Sequence, residues 1–68
     1  MATLREKLGL NIRKAREQKD LTQEKLAEMA RIDYSYLNLI ENGKRNPSIK
    51  IVTKIARALG INLKNLLP

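Results

Sequence analysis

Residues 21–42 read LTQEKLAEMARIDYSYLNLIEN, and this stretch decides the fold because it contains two helix starts in close succession. Thr22 and Asp33 are residue types favoured at the N-cap of a helix. Each is flanked by two apolar residues at the spacing of a hydrophobic staple. These pairs are Leu21 with Leu26 and Ile32 with Leu37. The pattern predicts helices over about 23–30 and 34–42, joined by residues 31–33 alone.

So short a connection cannot fold the two helices back on each other without strain, and it favours the steep crossing of a helix-turn-helix. Helix-start signals recur at Thr3, which has capping-box spacing to Glu6, at Ser48 and at Asn62. They predict further helices over about 4–18, 49–59 and 63–67, with Gly60 ending the fourth. Apolar residues recur at helical spacing in the two longer segments, at Leu4, Leu8, Ile12 and Ala15, then at Ile49, Val52, Ile55, Ala56 and Leu59. No segment alternates at a period of two, so the expected fold is all-α, a compact five-helix bundle forming one domain over residues 1–68.

The size and composition of the chain narrow the classes of function. A chain of 68 residues buries roughly 60% of its unfolded surface, which leaves no room for a deep catalytic cavity. It contains neither cysteine nor histidine, so we expect no disulfide, no metal site and no cofactor, and an enzyme is the least favoured class. No small-molecule ligand is evident. Without an apolar run of roughly 18 residues or a signal peptide, a cytoplasmic location is expected.

The distribution of charge is more informative than the formal total of +7. Residues 1–41 carry eight basic and seven acidic side chains, whereas residues 42–68 carry six basic side chains and no acidic one. The six are Lys44, Arg45, Lys50, Lys54, Arg57 and Lys64. Such a block favours a polyanionic partner, either nucleic acid or an anionic membrane surface. The alternative is a solvated face that serves solubility.

The third predicted helix has an unusual outer face. At 100° per residue, Leu37, Ile40 and Glu41 fall on the inner side. The outer side carries hydroxyl and amide groups and one leucine, and no charge: Tyr34, Ser35, Asn38, Leu39 and Asn42. Amides and hydroxyls offer both donors and acceptors, as base edges in the major groove of DNA do. They could also be ordinary surface residues, but the basic turn that follows at once, Lys44-Arg45-Asn46, favours DNA.

Glu41 lies on the inner side, where an unpaired carboxylate would cost several kcal/mol. Arg16, one turn after Ile12 on the first helix, is the best-placed partner. We therefore predict a structural ion pair between Arg16 and Glu41 that joins the first helix to the third. The alternative is that Glu41 extends to solvent.

Three segments, LTQEKLAEMA (21–30), SYLNLIENGKRNPS (35–48) and KIARALGINLKNLL (54–67), together resemble the phage-repressor/Cro-type helix-turn-helix regulators, the XRE family. The resemblance spans about residues 8–67 and is greatest to small single-domain repressors and restriction–modification controller proteins. It implies a transcriptional regulator, such as a repressor, that binds double-stranded DNA. It also implies that Arg16 and Glu41 match an ion pair that many members share.

The resemblance further implies a role for each residue of the DNA-binding surface. Base reading falls to Tyr34, Ser35, Asn38 and Leu39. Phosphate binding falls to Gln23, Asn42, Gly43, Lys44, Arg45 and Lys50, partly through backbone N–H groups of the 42–45 loop. The chain departs from the family at Asp20 and Arg31, where members often have glycine or another small residue, and Arg31 is expected to alter the turn. Tyr34 stands where members more commonly have Gln, Arg or Ser, so the resemblance does not assign it a particular base.

One helix reads only a few base pairs, so we expect a homodimer on a pseudo-palindromic operator. Its predicted interface comprises Ile51, Ala58, Leu63 and Leu67, although the two leucines could instead simply close the core. A different class of function stays open: an adaptor or antitoxin-type module that contacts another protein and binds nucleic acid only weakly. The exposed amide face favours sequence reading over that class.

Overall fold

The computed structural model describes residues 2–68, which form an all-α bundle without strands. Its four α-helices are α1 (Leu4–Gln18), α2 (Gln23–Ala30), α3 (Tyr34–Glu41) and α4 (Ile49–Leu59), followed by a single 3-10 turn at Leu63–Asn65. α3 packs against α1 and α2, while α4 packs against α2, α1 and the 3-10 turn. Among the described residues, no helix combines the length and the apolar character that crossing a membrane requires.

The helices begin where their N-caps were predicted. The side chains of Thr3, Thr22, Asp33 and Ser48 each accept a hydrogen bond from the backbone N–H three residues later. At α1 the capping box is complete, because the Thr3 backbone N–H also donates to Glu6 Oε1 at 2.9 Å. That backbone hydrogen bond is the main reason that the pKa of the Glu6 carboxyl lies below its ordinary value. Local sequence therefore specifies the four starts.

The prediction of a fifth α-helix over 63–67 is wrong. Asn65 and Leu66 donate to carbonyls three residues back, those of Asn62 and Leu63, and the turn stops there. Two features explain the short turn. The Asn62 side chain caps Lys64, only two residues on, and Pro68 disfavours a helical conformation at the residue before it. α3 also ends at Glu41, one residue earlier than predicted, with Asn42 as its C-cap.

The core comprises one cluster of buried apolar side chains contributed by all four helices and by Leu66. Two residues that the periodicity placed on inner faces lie outside it: Leu4 is 72% exposed and Ile49 is 62% exposed. Each is the first residue of its helix, where spacing gives the face but not whether another element covers it. Leu66, at 0% exposure, closes the core at the chain end. Its carbonyl accepts a hydrogen bond from Asn11 Nδ2 on α1.

The connection between α2 and α3 takes a left-handed conformation at Arg31, a residue type that disfavours it. Arg31 has φ 57° and ψ 46°, and the N–H of Ile32 donates to the Ala27 carbonyl. This is the hydrogen-bond pattern of a helix end that glycine usually forms. Arg31 therefore adopts the conformation that glycine usually has at a helix end, and the hydrogen bonds of that end are formed. Asp20 does the same after α1, with φ 57°.

Candidate nucleic-acid interface

The inner side of α3 is fixed by the ion pair predicted from the sequence. Arg16 Nε lies 2.8 Å from Glu41 Oε2, and Arg16 Nη2 lies 3.1 Å from Glu41 Oε1. The Glu41 side chain is 1% exposed and the Arg16 side chain 12%. Arg16 Nη1 also donates to the carbonyl of Leu21 at 2.7 Å. One guanidinium thus joins α1, the end of α3 and the turn that leads into α2.

Residues predicted to read bases lie on the opposite side of α3. Tyr34 and Ser35, in its first turn, are exposed, and Asn38 and Leu39, one turn later, are partly buried. Because the four positions are spaced i, i+1, i+4 and i+5, they share one face of the helix. The structure therefore brings these four residues together, with Tyr34 and Ser35 exposed and Asn38 and Leu39 partly exposed.

Gln23 connects this face to the ion pair, which the sequence did not predict. Its Nε2 donates to Glu41 Oε1 at 3.0 Å, and its Oε1 accepts from Asn38 Nδ2 at 3.0 Å. Asn42 Nδ2 in turn donates to Asn38 Oδ1 at 3.3 Å and to the Asn38 carbonyl at 2.9 Å. Three amides thus form a hydrogen-bonded chain that starts at the buried carboxylate. Within residues 2–68, no buried side-chain nitrogen or oxygen lacks a partner.

The turn after α3 is held by its own backbone. The N–H groups of Asn42, Gly43 and Lys44 donate to the carbonyls of Asn38, Ile40 and Leu39 at 2.9–3.1 Å. Gly43 has φ 72°, and a Cβ there would lie 2.7 Å from Glu6 Cγ on α1. These three N–H groups therefore end α3. Gly43 is buried and the N–H groups of Asn42, Gly43 and Lys44 are occupied, which leaves the side chains of Asn42 and Lys44, and Arg45, for a contact with phosphate.

Basic side chains border the same region. Lys44 and Arg45 are exposed, as is Lys50 in the first turn of α4. Within the described part of the chain, none of these three forms a salt bridge, since the ion pairs there are Arg13–Glu17, Arg16–Glu41 and Lys25–Glu28. The geometry combines a rigid polar helix face with basic side chains that have no acidic partner among the described residues.

A family model described as helix-turn-helix matches residues 12–66, most of the chain and the whole of this arrangement. The chain belongs to the helix-turn-helix family. The resemblance to regulators of the phage-repressor and controller type is thereby confirmed. The matched residues include α2 and α3, the two helices that the sequence predicts to form the motif.

Named relatives of this helix-turn-helix protein include control proteins and a phage repressor. It is 40% identical over 67 residues to control protein C.MunI from Mycoplasma sp, which covers 97% of this chain and 90% of that protein. It is 41% identical over 56 residues to the immunity repressor of Bacillus phage phi105, covering 82% of this chain and 39% of the repressor. Among solved structures, the restriction-modification controller protein C.AhdI from Aeromonas hydrophila superposes with a TM-score of 0.89 at 39% identity. That superposition covers 91% of this chain and 94% of C.AhdI.

The dimer residues predicted from the sequence differ in their surroundings. Ile51, Ala58 and Leu63 are partly buried and pack against the core cluster. Leu67 is 42% exposed, so it does not close the core, and Leu66 does so instead. Exposed apolar surface therefore remains on α4 and the chain end, at Ile49 and Leu67.

Proposed function

We propose that this protein is a transcriptional regulator that binds double-stranded DNA sequence-specifically, with α3 in the major groove. The observation that carries the proposal is the outer face of α3. It presents amide and hydroxyl groups and no charge, on a helix fixed from behind by a buried ion pair. A helix held in one position can offer its donors and acceptors in a constant register to base edges. The kinship with control proteins and a phage immunity repressor supports the same function.

Binding and reading fall to different side chains in this proposal. Lys44, Arg45 and Lys50 contact phosphates and set the position of the protein on the duplex. Tyr34 and Asn38, with Ser35 and Leu39, contact base edges, and Leu39 can meet a thymine methyl group. Asn42 and Gly43 contribute indirectly, because the Asn42 side chain holds Asn38 and the Gly43 backbone ends α3. Gln23 contacts Asn38 and opens α2, so its amide can serve both base reading and phosphate binding.

The operator is proposed to be pseudo-palindromic and to bind two copies of the chain. A single α3 contacts few base pairs, which gives little selectivity in a genome. A two-fold dimer would place half-site centres about 34 Å apart, or a multiple of that distance. Selection of bound sites from a random DNA library tests this directly, because it reports specificity, symmetry and spacing together. Enrichment of no sequence, together with specific capture of a protein partner, would instead identify an adaptor.

Two alanine variants separate base reading from phosphate binding on the selected operator. Asn38→Ala is expected to cost about 1–3 kcal/mol of binding and to relax preference at one or two base positions. Arg45→Ala is expected to weaken binding to all sequences and to reduce the slope of log K against log salt by about one. Fluorescence anisotropy at several salt concentrations measures both effects. Unchanged operator affinity in Asn38→Ala would mean that α3 is not the reading helix.

A further inference from the structure

The amide of Gln23 lies between two groups with different functions. On one side is the Glu41 carboxylate, which is buried and already paired with Arg16. On the other side is Asn38, on the face of α3 proposed to read bases. Gln23 is the first residue of α2, so its position is fixed by the start of that helix. Its side chain is itself partly buried rather than extended into solvent.

The charge of Glu41 determines the direction of the amides in this chain. A carboxylate only accepts hydrogen bonds, so the group that Gln23 turns toward it must be the NH₂. The Gln23 oxygen then faces Asn38, which must offer its own NH₂ in return. A reversed Asn38 would set two acceptor oxygens against each other. The Asn38 oxygen is consequently directed toward the NH₂ of Asn42.

This orientation of the amides leaves Asn38 with one unused donor and one unused acceptor. Its NH₂ uses one hydrogen on Gln23 and keeps one, and its oxygen uses one lone pair on Asn42 and keeps one. One remaining donor and one remaining acceptor on a single amide match an adenine edge, which offers N7 as an acceptor and N6–H as a donor. An amide free to rotate could present either order.

We propose that Gln23 is a specificity-determining residue. The buried Glu41 carboxylate fixes the orientation of the Gln23 amide, which in turn fixes the orientation of the Asn38 amide and so the base that Asn38 prefers. This inference rests on the proposed function, since it needs α3 to read bases. It gives Gln23 a role in sequence preference, whereas phosphate binding alone would affect all sequences alike. Gln23 acts here as a positioning residue, through Asn38.

The test uses three single variants and one double variant of the full chain, and the operator selected by the wild type. Gln23→Met keeps the length of the side chain and removes both hydrogen-bonding groups. Asn38→Ala identifies the base position that Asn38 reads, and Lys44→Met serves as the control for loss of a phosphate contact. Binding of each variant is measured on the operator, on operators with each of the other three bases at that position, and on a scrambled duplex. Thermal unfolding verifies that each variant is folded.

The wild type is expected to prefer adenine at the Asn38 position by roughly 5- to 150-fold, the range of a bidentate base contact. Gln23→Met should reduce that preference below about threefold. Its affinity for the scrambled duplex measures any phosphate contact of Gln23 separately, because such a contact weakens all duplexes by one factor and leaves the ratio between bases unchanged. Combining Gln23→Met with Asn38→Ala should add no further loss of preference. Lys44→Met should weaken binding to all duplexes by one common factor and keep the preference.

The negative results distinguish a failure of the inference about Gln23 from a failure of the proposed function. If Asn38→Ala removes the preference at a base position and Gln23→Met leaves it intact, the inference about Gln23 is wrong while the proposed function stands. A uniform loss of affinity in Gln23→Met, like that in Lys44→Met, would also show that Gln23 does not set the base preference. If Asn38→Ala alters preference at no position, the proposed function itself fails, and the inference with it.

Discussion

At the scale of single residues, Arg16 joins three segments of the molecule. It gives two hydrogen bonds to Glu41 and one to the Leu21 carbonyl, all between 2.7 and 3.1 Å. Removing one member of a buried pair leaves the other charge without compensation, and this loss exceeds what the intact pair contributes. The main effect of the pair on stability is therefore that neither buried charge is left unpaired.

Arg16→Met should lower the free energy of unfolding by about 3–5 kcal/mol, because the Glu41 carboxylate stays buried without its cation. Urea denaturation measures the change. A small domain has roughly 0.05–0.15 kcal/mol of stability per residue, so this variant is expected to be partly unfolded at room temperature.

Two controls distinguish a buried charge from a general effect of losing an arginine. Arg13→Met removes a pair with Glu17 at 3.4 Å, in which both side chains are 54% exposed, and should change stability by less than about 1 kcal/mol. The double variant Arg16→Met/Glu41→Leu should recover most of the lost stability, since no unpaired charge remains. A double variant as unstable as the single one would show that shape, and not charge, sets the cost.

A second residue-scale prediction concerns Arg31, whose left-handed conformation costs an L-residue roughly 1–2 kcal/mol. Arg31→Gly should raise the free energy of unfolding by about 1 kcal/mol, after allowance for the extra freedom of glycine in the unfolded chain. Lys19→Gly is the matched control. Lys19 ends α1 with φ −93°, so glycine should only destabilise there, by about 0.5–1 kcal/mol. Thermal unfolding of the two variants should show shifts of opposite sign.

At the scale of elements, α1 and α3 lie close together at Gly9 of α1. A Cβ at this position would collide with the carbonyl oxygen of Ile40 and would lie 2.8 Å from that of Glu41. Both obstacles are backbone atoms at the end of α3, so they cannot move aside as a flexible side chain could. The absence of a side chain at Gly9 therefore sets how closely α1 and α3 pack.

Gly9→Ala should destabilise the protein by about 1–3 kcal/mol, the usual cost of overpacking, although alanine favours an isolated helix over glycine. Lys14→Ala, at an exposed position of the same helix, should stay within about 0.5 kcal/mol of the wild type. Urea denaturation compares the two. A Gly9→Ala protein as stable as Lys14→Ala would mean that α1 can shift away from α3 without loss.

Element starts could be predicted from the sequence because their signals are local. Each N-cap is recognised within three or four residues, and the structure has all four α-helices beginning where those signals stand. The inner and outer faces of α3 were predictable for the same reason, since a helix of constant period assigns them. The Arg16–Glu41 pair followed from the physical demand of a buried carboxylate for a cation.

Contacts between distant segments carried no such signal. Asn11 reaches the Leu66 carbonyl across 55 positions, and Gln23 reaches Glu41 across 18. The composition of the chain would be the same if these side chains pointed into solvent. Periodicity likewise could not tell that the first turn of α4 lies uncovered at Ile49, or that the chain end turns in at Leu66 and not at Leu67. Whether these residues are buried depends on contact with another segment of the chain, which the local sequence does not specify.

At the scale of the whole molecule, the charges are distributed unevenly. All ion pairs of the described residues lie between positions 13 and 41. The six basic residues after position 41 have no acidic neighbour in their part of the sequence, and none of them forms a salt bridge within residues 2–68. Their positive charge is therefore available to a polyanion, and it belongs to the segment that begins directly after α3.

The apolar surface left on α4 and the chain end predicts that two copies of the chain associate there. Leu67 is 42% exposed, so Leu67→Lys should leave the fold intact, place a charge in the proposed interface and favour the monomer. Gel filtration with light scattering measures the mass, and duplexes with one or two half-sites report the consequence for binding. The variant should lose affinity for the two-site duplex and keep its affinity for a single half-site.

Met29→Lys is the matched control, because Met29 is 44% exposed and lies on α2, outside the proposed interface. A wild type that stays monomeric both free and on two-site DNA, or equal effects of the two variants, would exclude this interface.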